Sequence, residues 1–171
     1  AIFVHEALED GTFDTSPTFV LGGPFGGDQH GWSVAVCDFN GDGKLDIASG
    51  AYVSEDKEQT PQSSNQGAIR IWFGYDAGFN TDPDFAIYGN TVDELGEWSY
   101  KNEMRLGWYM AADDMDNDGN CDLAVTALHW EPDGESGLWG AVFIYKGLPA
   151  TDTSLGGITT LPVRAFANIV E

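Results

Sequence analysis

The sequence predicts an all-β fold of four-stranded β-propeller blades, on two observations. A unit of short strands recurs in register, and a nine-residue acidic loop from Asp38 to Asp46 returns, at the same place in the second copy, from Asp114 to Asp122. The 22 glycines spread along the 171 residues suit a turn-rich β protein, and no long stretch shows helical periodicity.

The elements follow in chain order. Ala1-Ile2-Phe3-Val4-His5 and Thr18-Phe19-Val20-Leu21-Gly22 read as the last strands of a partial blade over residues 1–30. The first full unit, 31–106, runs through strands at Trp32 to Val36, Leu45 to Val53, Ala68 to Phe73 and Phe85 to Tyr88, with a polar excursion from Ser54 to Gln66. The second, 107–171, repeats it. Gly31-Trp32-Ser33-Val34-Ala35 falls on Gly107-Trp108-Tyr109-Met110-Ala111, the acidic loops align without a gap, and Gly67 to Gly74 matches Gly140 to Gly147. Val163 to Val170 reads as a closing strand. Two blades and a fraction leave a ring open, so the expected completion is either more chain or several chains that complete each other's blades.

The charge balance removes whole classes of function. With 28 acidic against 7 basic residues the formal charge is -21 and the sequence pI near 4.1. Clustered Lys and Arg for phosphate or anionic lipid are absent, so neither nucleic acid nor an anionic membrane surface is expected as a partner, and membrane insertion is not expected for want of a long apolar run. Such acidity suits a calcium-rich or salty exterior, where ions screen self-repulsion. No apolar run reaches membrane-spanning length, and Ala1 to Glu6 lacks a basic head and signal core, so the chain reads as mature or excised. Cys37 and Cys121 occupy inequivalent repeat positions, and free buried thiols are expected there rather than a bridge.

Both acidic loops follow Asp-x-(Asn/Asp)-x-Asp-Gly-x-x-Asp. Alternate residues of a tight turn can aim oxygens at one centre, which is the demand of a hard cation taking roughly six to eight oxygen ligands. The expected ligands for two Ca2+ ions are Asp38, Asn40, Asp42, the Lys44 carbonyl and Asp46, then Asp114, Asp116, Asp118, the Asn120 carbonyl and Asp122. A metal-free Asx-rich turn would crowd three or four carboxylates without relief. Magnesium favours a smaller, water-rich octahedron, and zinc would want imidazole or thiolate. An EF-hand is rejected because its twelfth position is Ser49 or Val125 and the flanks read as strands.

With these residues in view, Gly31 to Ala35, Asp38 to Asp46, Ser49-Gly50-Ala51-Tyr52 and Gly67 to Ile71 resemble an FG-GAP repeat of the integrin α-subunit propeller. The second copy is similar but has Thr126-Ala127-Leu128 where the first has Gly50-Ala51-Tyr52. The resemblance implies structural calcium between the first two strands of each blade, away from the usual ligand face. It also implies extracellular or cell-surface adhesion through a protein or glycan. The alternatives are a structural subunit of an extracellular ring or filament, and a lectin-like module of a larger secreted enzyme.

The remaining candidates are weaker. Trp32 and Trp108, at equivalent positions, are expected to pack between blades, whereas Trp98, Trp130 and Trp139 lie in loop-like segments suited to sugar stacking. His5, His30 and His129 have no ligand or nucleophile spacing. Pairs such as Asp133 with Glu135 or Glu94 with Glu97 read as solvated surface, and no catalytic residue is expected.

Overall fold

The structure, a computed structural model, describes residues 1–23, 26–55, 65–89, 104–130, 140–151 and 156–159, and the backbone of 164–167. Among the described residues every regular element is a strand. β1 (Ile2–Val4) and β2 (Phe19–Leu21) pair antiparallel, Phe3 opposite Val20. The first four-stranded sheet contains β3 (Ser33–Cys37), β4 (Asp46–Ala51) and β5 (Ala68–Trp72). A ribbon of β6 (Gly74–Tyr75) and β7 (Gly78–Phe79) then leads into β8 (Phe85–Tyr88), giving the order β3-β4-β5-β8.

The second sheet repeats that order. β9 (Leu106–Asp113), β10 (Asp122–Ala127) and β11 (Ala141–Tyr145) are followed by a ribbon of β12 (Gly147–Leu148) and β13 (Gly157–Ile158), and β14 (Arg164–Ala167) pairs with β11. All pairings between named strands are antiparallel, as neighbours joined by short loops should be. The strand expected from Leu45 to Val53 is trimmed at both ends. Leu45 stays exposed in the acidic loop, and the chain turns at Tyr52.

Burial shows how the sheets stack. Every residue of β4 and β5 is buried, whereas β10 and β11 alternate between buried and half-buried. The first sheet is therefore covered on both faces at its central strands, while its edge strand β3 leaves Val34 and Val36 exposed, and β10 and β11 are covered on one face. On one side of the first sheet Leu21, Ile47 and Trp72 gather Ile2, Val4, Phe19 and Phe79. On the other, Ala48, Ile69 and Ile71 share a core with Leu106, Leu123, Val125 and Phe143 of the second. Each large apolar side chain so buried is worth about 1.5–3 kcal/mol, against ~1 kcal/mol at most for an exposed ion pair, so apolar stacking dominates.

Glycine permits the close approach of the two sheets. A Cβ on Gly50 would strike the Gly107 carbonyl oxygen, and a Cβ on Gly67 would strike the Leu106 backbone. Ser33 Oγ donates to Gly107 O at 2.7 Å across the same seam. One buried charge is paired: Arg70, fully buried on β5, meets Asp28 at 2.8 Å and donates to Ser54 Oγ at 2.8 Å.

The cysteines correct the sequence reading. Cys37 and Cys121 form a disulfide with their Cα atoms 6.0 Å apart, and no free cysteine remains. The inequivalence of the two positions is what makes the bridge: the end of β3 lies against the acidic loop of the neighbouring unit, so one cysteine precedes its own loop and the other sits inside the facing one.

Candidate metal centre

Each acidic loop spans the first two strands of its sheet, entered from β3 or β9 and left through β4 or β10. Its carboxylates organise the backbone in the same way twice. Asp38 accepts from the N–H groups of Asp42 at 3.1 Å and Gly43 at 2.8 Å. Asp114 accepts from Asp118 at 3.0 Å and Gly119 at 2.9 Å. Asp42 and Asp118 accept from the peptide N–H two residues on, each at 2.9 Å. Gly43 and Gly119 adopt φ of +86° and +92°, a left-handed turn that glycine enters freely.

The closing aspartate is a clamp between strands. Asp46 takes the Phe39 N–H at 2.8 Å and, from the far end of the sheet's third strand, the Gly74 N–H at 2.9 Å. Asp122 does the same with Met115 at 3.1 Å and Gly147 at 2.9 Å. Both carboxylates are buried. Burial pushes the Asp46 carboxyl up to about 6, reinforced by the charges of Asp38 and Asp42 and opposed by the N–H donors of Gly74 and Phe39. A buried carboxylate so disfavoured gains from a cation beside it.

In the second loop, oxygens of Asp114, Asp116 and Asp122 lie within 4.8 Å of one another. Asp118 joins them through Lys146, whose Nζ bonds Asp116 Oδ2 and lies 2.9 Å from Asp118 Oδ2. The ammonium holds the Asp118 carboxyl down at about 2, helped by the Asn120 donors, and both carboxylates raise the Lys146 amine. In the first loop, Asn40 stands in the place of Asp116, its Oδ1 accepting from Asp42 N at 3.1 Å. Lys44 turns its amine outward to Asp76, 3.5 Å away.

The donor set in both loops is oxygen throughout, hard and anionic, which fits a calcium-sized cation and not a soft metal. In the second loop a protein ammonium already stands among the carboxylates, so the cluster demonstrably accepts positive charge.

The loops also touch each other. Cys121 N donates to Asp38 O at 3.1 Å, Ala150 N donates to Asn40 O at 2.5 Å, and the disulfide joins the two directly. Local spacing in the sequence does not reveal this contact, nor Lys146, nor the Gly74 and Gly147 donors. The visible signal for Lys146 was its place in the repeat alignment, where the first unit has Phe73.

At the opposite end of β3, Trp32 and Trp108 meet across the two sheets with ring centroids 5.1 Å apart, and Tyr52 packs on both. Trp32 is half exposed there, and Tyr109 beside it is exposed. Trp130 packs edge-on against Phe143, while Trp98, Trp139, Glu94, Glu97, Asp133 and Glu135 lie outside the described residues. His5 lies 2.8 Å from Asp14 O, and His129 is half-buried. His30 is wedged between Ser49 Oγ, 2.8 Å from its Nδ1, and the Trp72 ring.

Residues 30–72 match the family profile of the FG-GAP repeat, and residues 1–49 that of the FG-GAP-like repeat. The chain is also similar to integrin alpha-5 of Xenopus laevis, 30% identical over 147 residues. That alignment covers 83% of this chain and 12% of the relative, so the chain spans about one eighth of the curated protein it matches.

Proposed function

This chain carries FG-GAP repeats of the integrin α type, and from that premise we propose that it is a calcium-braced β-propeller segment for adhesion or recognition outside the cell. The observation that carries the reading is the twofold recurrence of one acidic loop, with the same closing clamp, between the first two strands of successive sheets, its carboxylates converging in the second. Asp38, Asn40, Asp42, Asp46 and the Lys44 carbonyl would hold one ion, and Asp114, Asp116, Asp118, Asp122 and the Asn120 carbonyl the other. Bound calcium would supply charge neutralisation that locks each loop onto its clamp. The role is structural and the segment non-enzymatic. The disulfide supports an oxidising, extracellular setting, and the acidity supports one rich in cations.

Recognition is assigned to the rim opposite the loops, where Trp32, Tyr52, Trp108 and Tyr109 expose aromatic surface. The partner is a protein or a glycan, both of which use aromatic faces. Array screening of calcium-loaded chain should return a ligand whose binding falls about tenfold or more in Trp32→Ala. Ligands bound equally by that variant would place recognition elsewhere. A second reading, assembly with further blades, rests on the half-covered face of β10 and β11, where Ala124, Val142 and Ile144 remain partly exposed.

A further inference from the structure

We infer that Lys146 is an internal counter-cation of the second loop, competing with calcium for Asp116 and Asp118 and making the two metal loops unequal. The inference rests on the proposed calcium reading and adds a residue that loop spacing does not select.

Comparison of the two units isolates the pair. Where the first unit has Asn40 and Phe73, the second has Asp116 and Lys146. One added carboxylate is thus matched by one added ammonium, and the structure joins them directly. Phe73 is buried in the core and offers no charge to its loop.

The oxygens involved are those a metal would need. Asp116 and Asp118 each use Oδ1 to accept loop N–H bonds, from Asp118 N at 3.2 Å and Asn120 N at 2.9 Å. Their Oδ2 atoms, not engaged by the loop backbone, are the ones Lys146 takes. The lysine is aimed by its backbone: Thr159 N donates to Lys146 O at 2.8 Å, and Lys146 N donates to Thr159 Oγ1 at 3.1 Å. Its side chain keeps a third of its surface in solvent, leaving the amine a path outward when an ion enters. Without metal the second loop is therefore partly neutralised by Lys146, whereas among the described residues no lysine or arginine pairs with the carboxylates of the first loop, where Lys44 faces Asp76. Two ions of one kind should bind with different affinities, the second loop being the weaker and the less dependent on metal for its order.

Calorimetric titration of calcium into metal-free wild type and Lys146→Met decides the matter, with Asp38→Ala and Asp114→Ala assigning each site. We expect two sites in the wild type. In Lys146→Met the loop 2 site should tighten by about tenfold while the loop 1 site stays within about twofold. The melting temperature of the calcium-free variant should also fall, and Lys146→Arg should behave as wild type. An unchanged or weakened loop 2 site in Lys146→Met overturns the inference while leaving the calcium reading intact. A wild type that binds no calcium overturns both.

Discussion

Gly50 and Gly107 face each other so closely that neither can carry a side chain without parting the sheets. Gly50→Ala is expected to cost about 1–3 kcal/mol by overpacking, seen as an earlier midpoint in urea unfolding. Gly43, by contrast, has open space around its Cβ position and only a left-handed φ to maintain. Its alanine variant should lose about 1 kcal/mol. Equal losses at the two positions would show that the seam is not as tight as described. His30 supplies the pH test. Burial lowers its pKa below the usual 6.5, with the Arg70 charge acting the same way and the Leu21 carbonyl and Asp28 opposing. A depressed pKa gives stability that is present above the unfolded value and lost as pH falls through the folded one. Thermal melts from about pH 7 downward should show a loss that His30→Gln lessens; identical profiles would remove His30 from the account. At this scale the turns of the acidic loops were legible because each is written in consecutive residues. Lys146 and the Gly74 and Gly147 donors were not, because strand pairing brings them in from 25 to 30 residues away.

The strands themselves were legible where alternation or β-branched content extended over four or more residues, and Phe85–Tyr88 coincides with its expected bounds. The ribbons β6–β7 and β12–β13 have two residues per strand, too few for any period to register. The bridge was misjudged for a related reason: chemistry between residues separated by 84 positions depends on how two units dock, which neither unit encodes alone. Its consequence belongs to the loops as elements. Cys37 adjoins Asp38, and Cys121 lies between Asn120 and Asp122, so the disulfide fixes both candidate metal loops together. Closing a loop of that size is worth roughly 4–5 kcal/mol in chain entropy. The Cys37→Ser, Cys121→Ser double variant should therefore melt well below the oxidised protein. Its calcium affinity should weaken at both sites; weakening at one site alone would mean that the loops act independently.

For the whole molecule, the stacking of sheets follows from the distribution of apolar residues, and the propeller architecture from the repetition of that unit in register. The central strands of the first sheet are buried on both faces and those of the second on one, so each unit depends on its neighbours for a core. Over this scaffold lies a charge of -21, to which the two loops contribute seven carboxylates. Without divalent ions, raising sodium chloride from roughly 0.01 to 1 M shortens the screening length about tenfold and should raise the melting temperature. With calcium bound the same salt series should have a smaller effect. Acidity and repetition were plain in the sequence. The face on which each unit meets the next was not, since it depends on which side of each strand the neighbour covers.

The central claim is that two corresponding acidic loops each bind calcium and so brace successive blades. Native mass spectrometry of the intact chain, dialysed free of metal and then given calcium, tests it most directly. The account predicts that two calcium ions bind, that Asp46→Ala and Asp122→Ala each lose one, and that magnesium at equal concentration does not replace them. A chain that takes up no calcium, or whose two ions survive both substitutions, would contradict it.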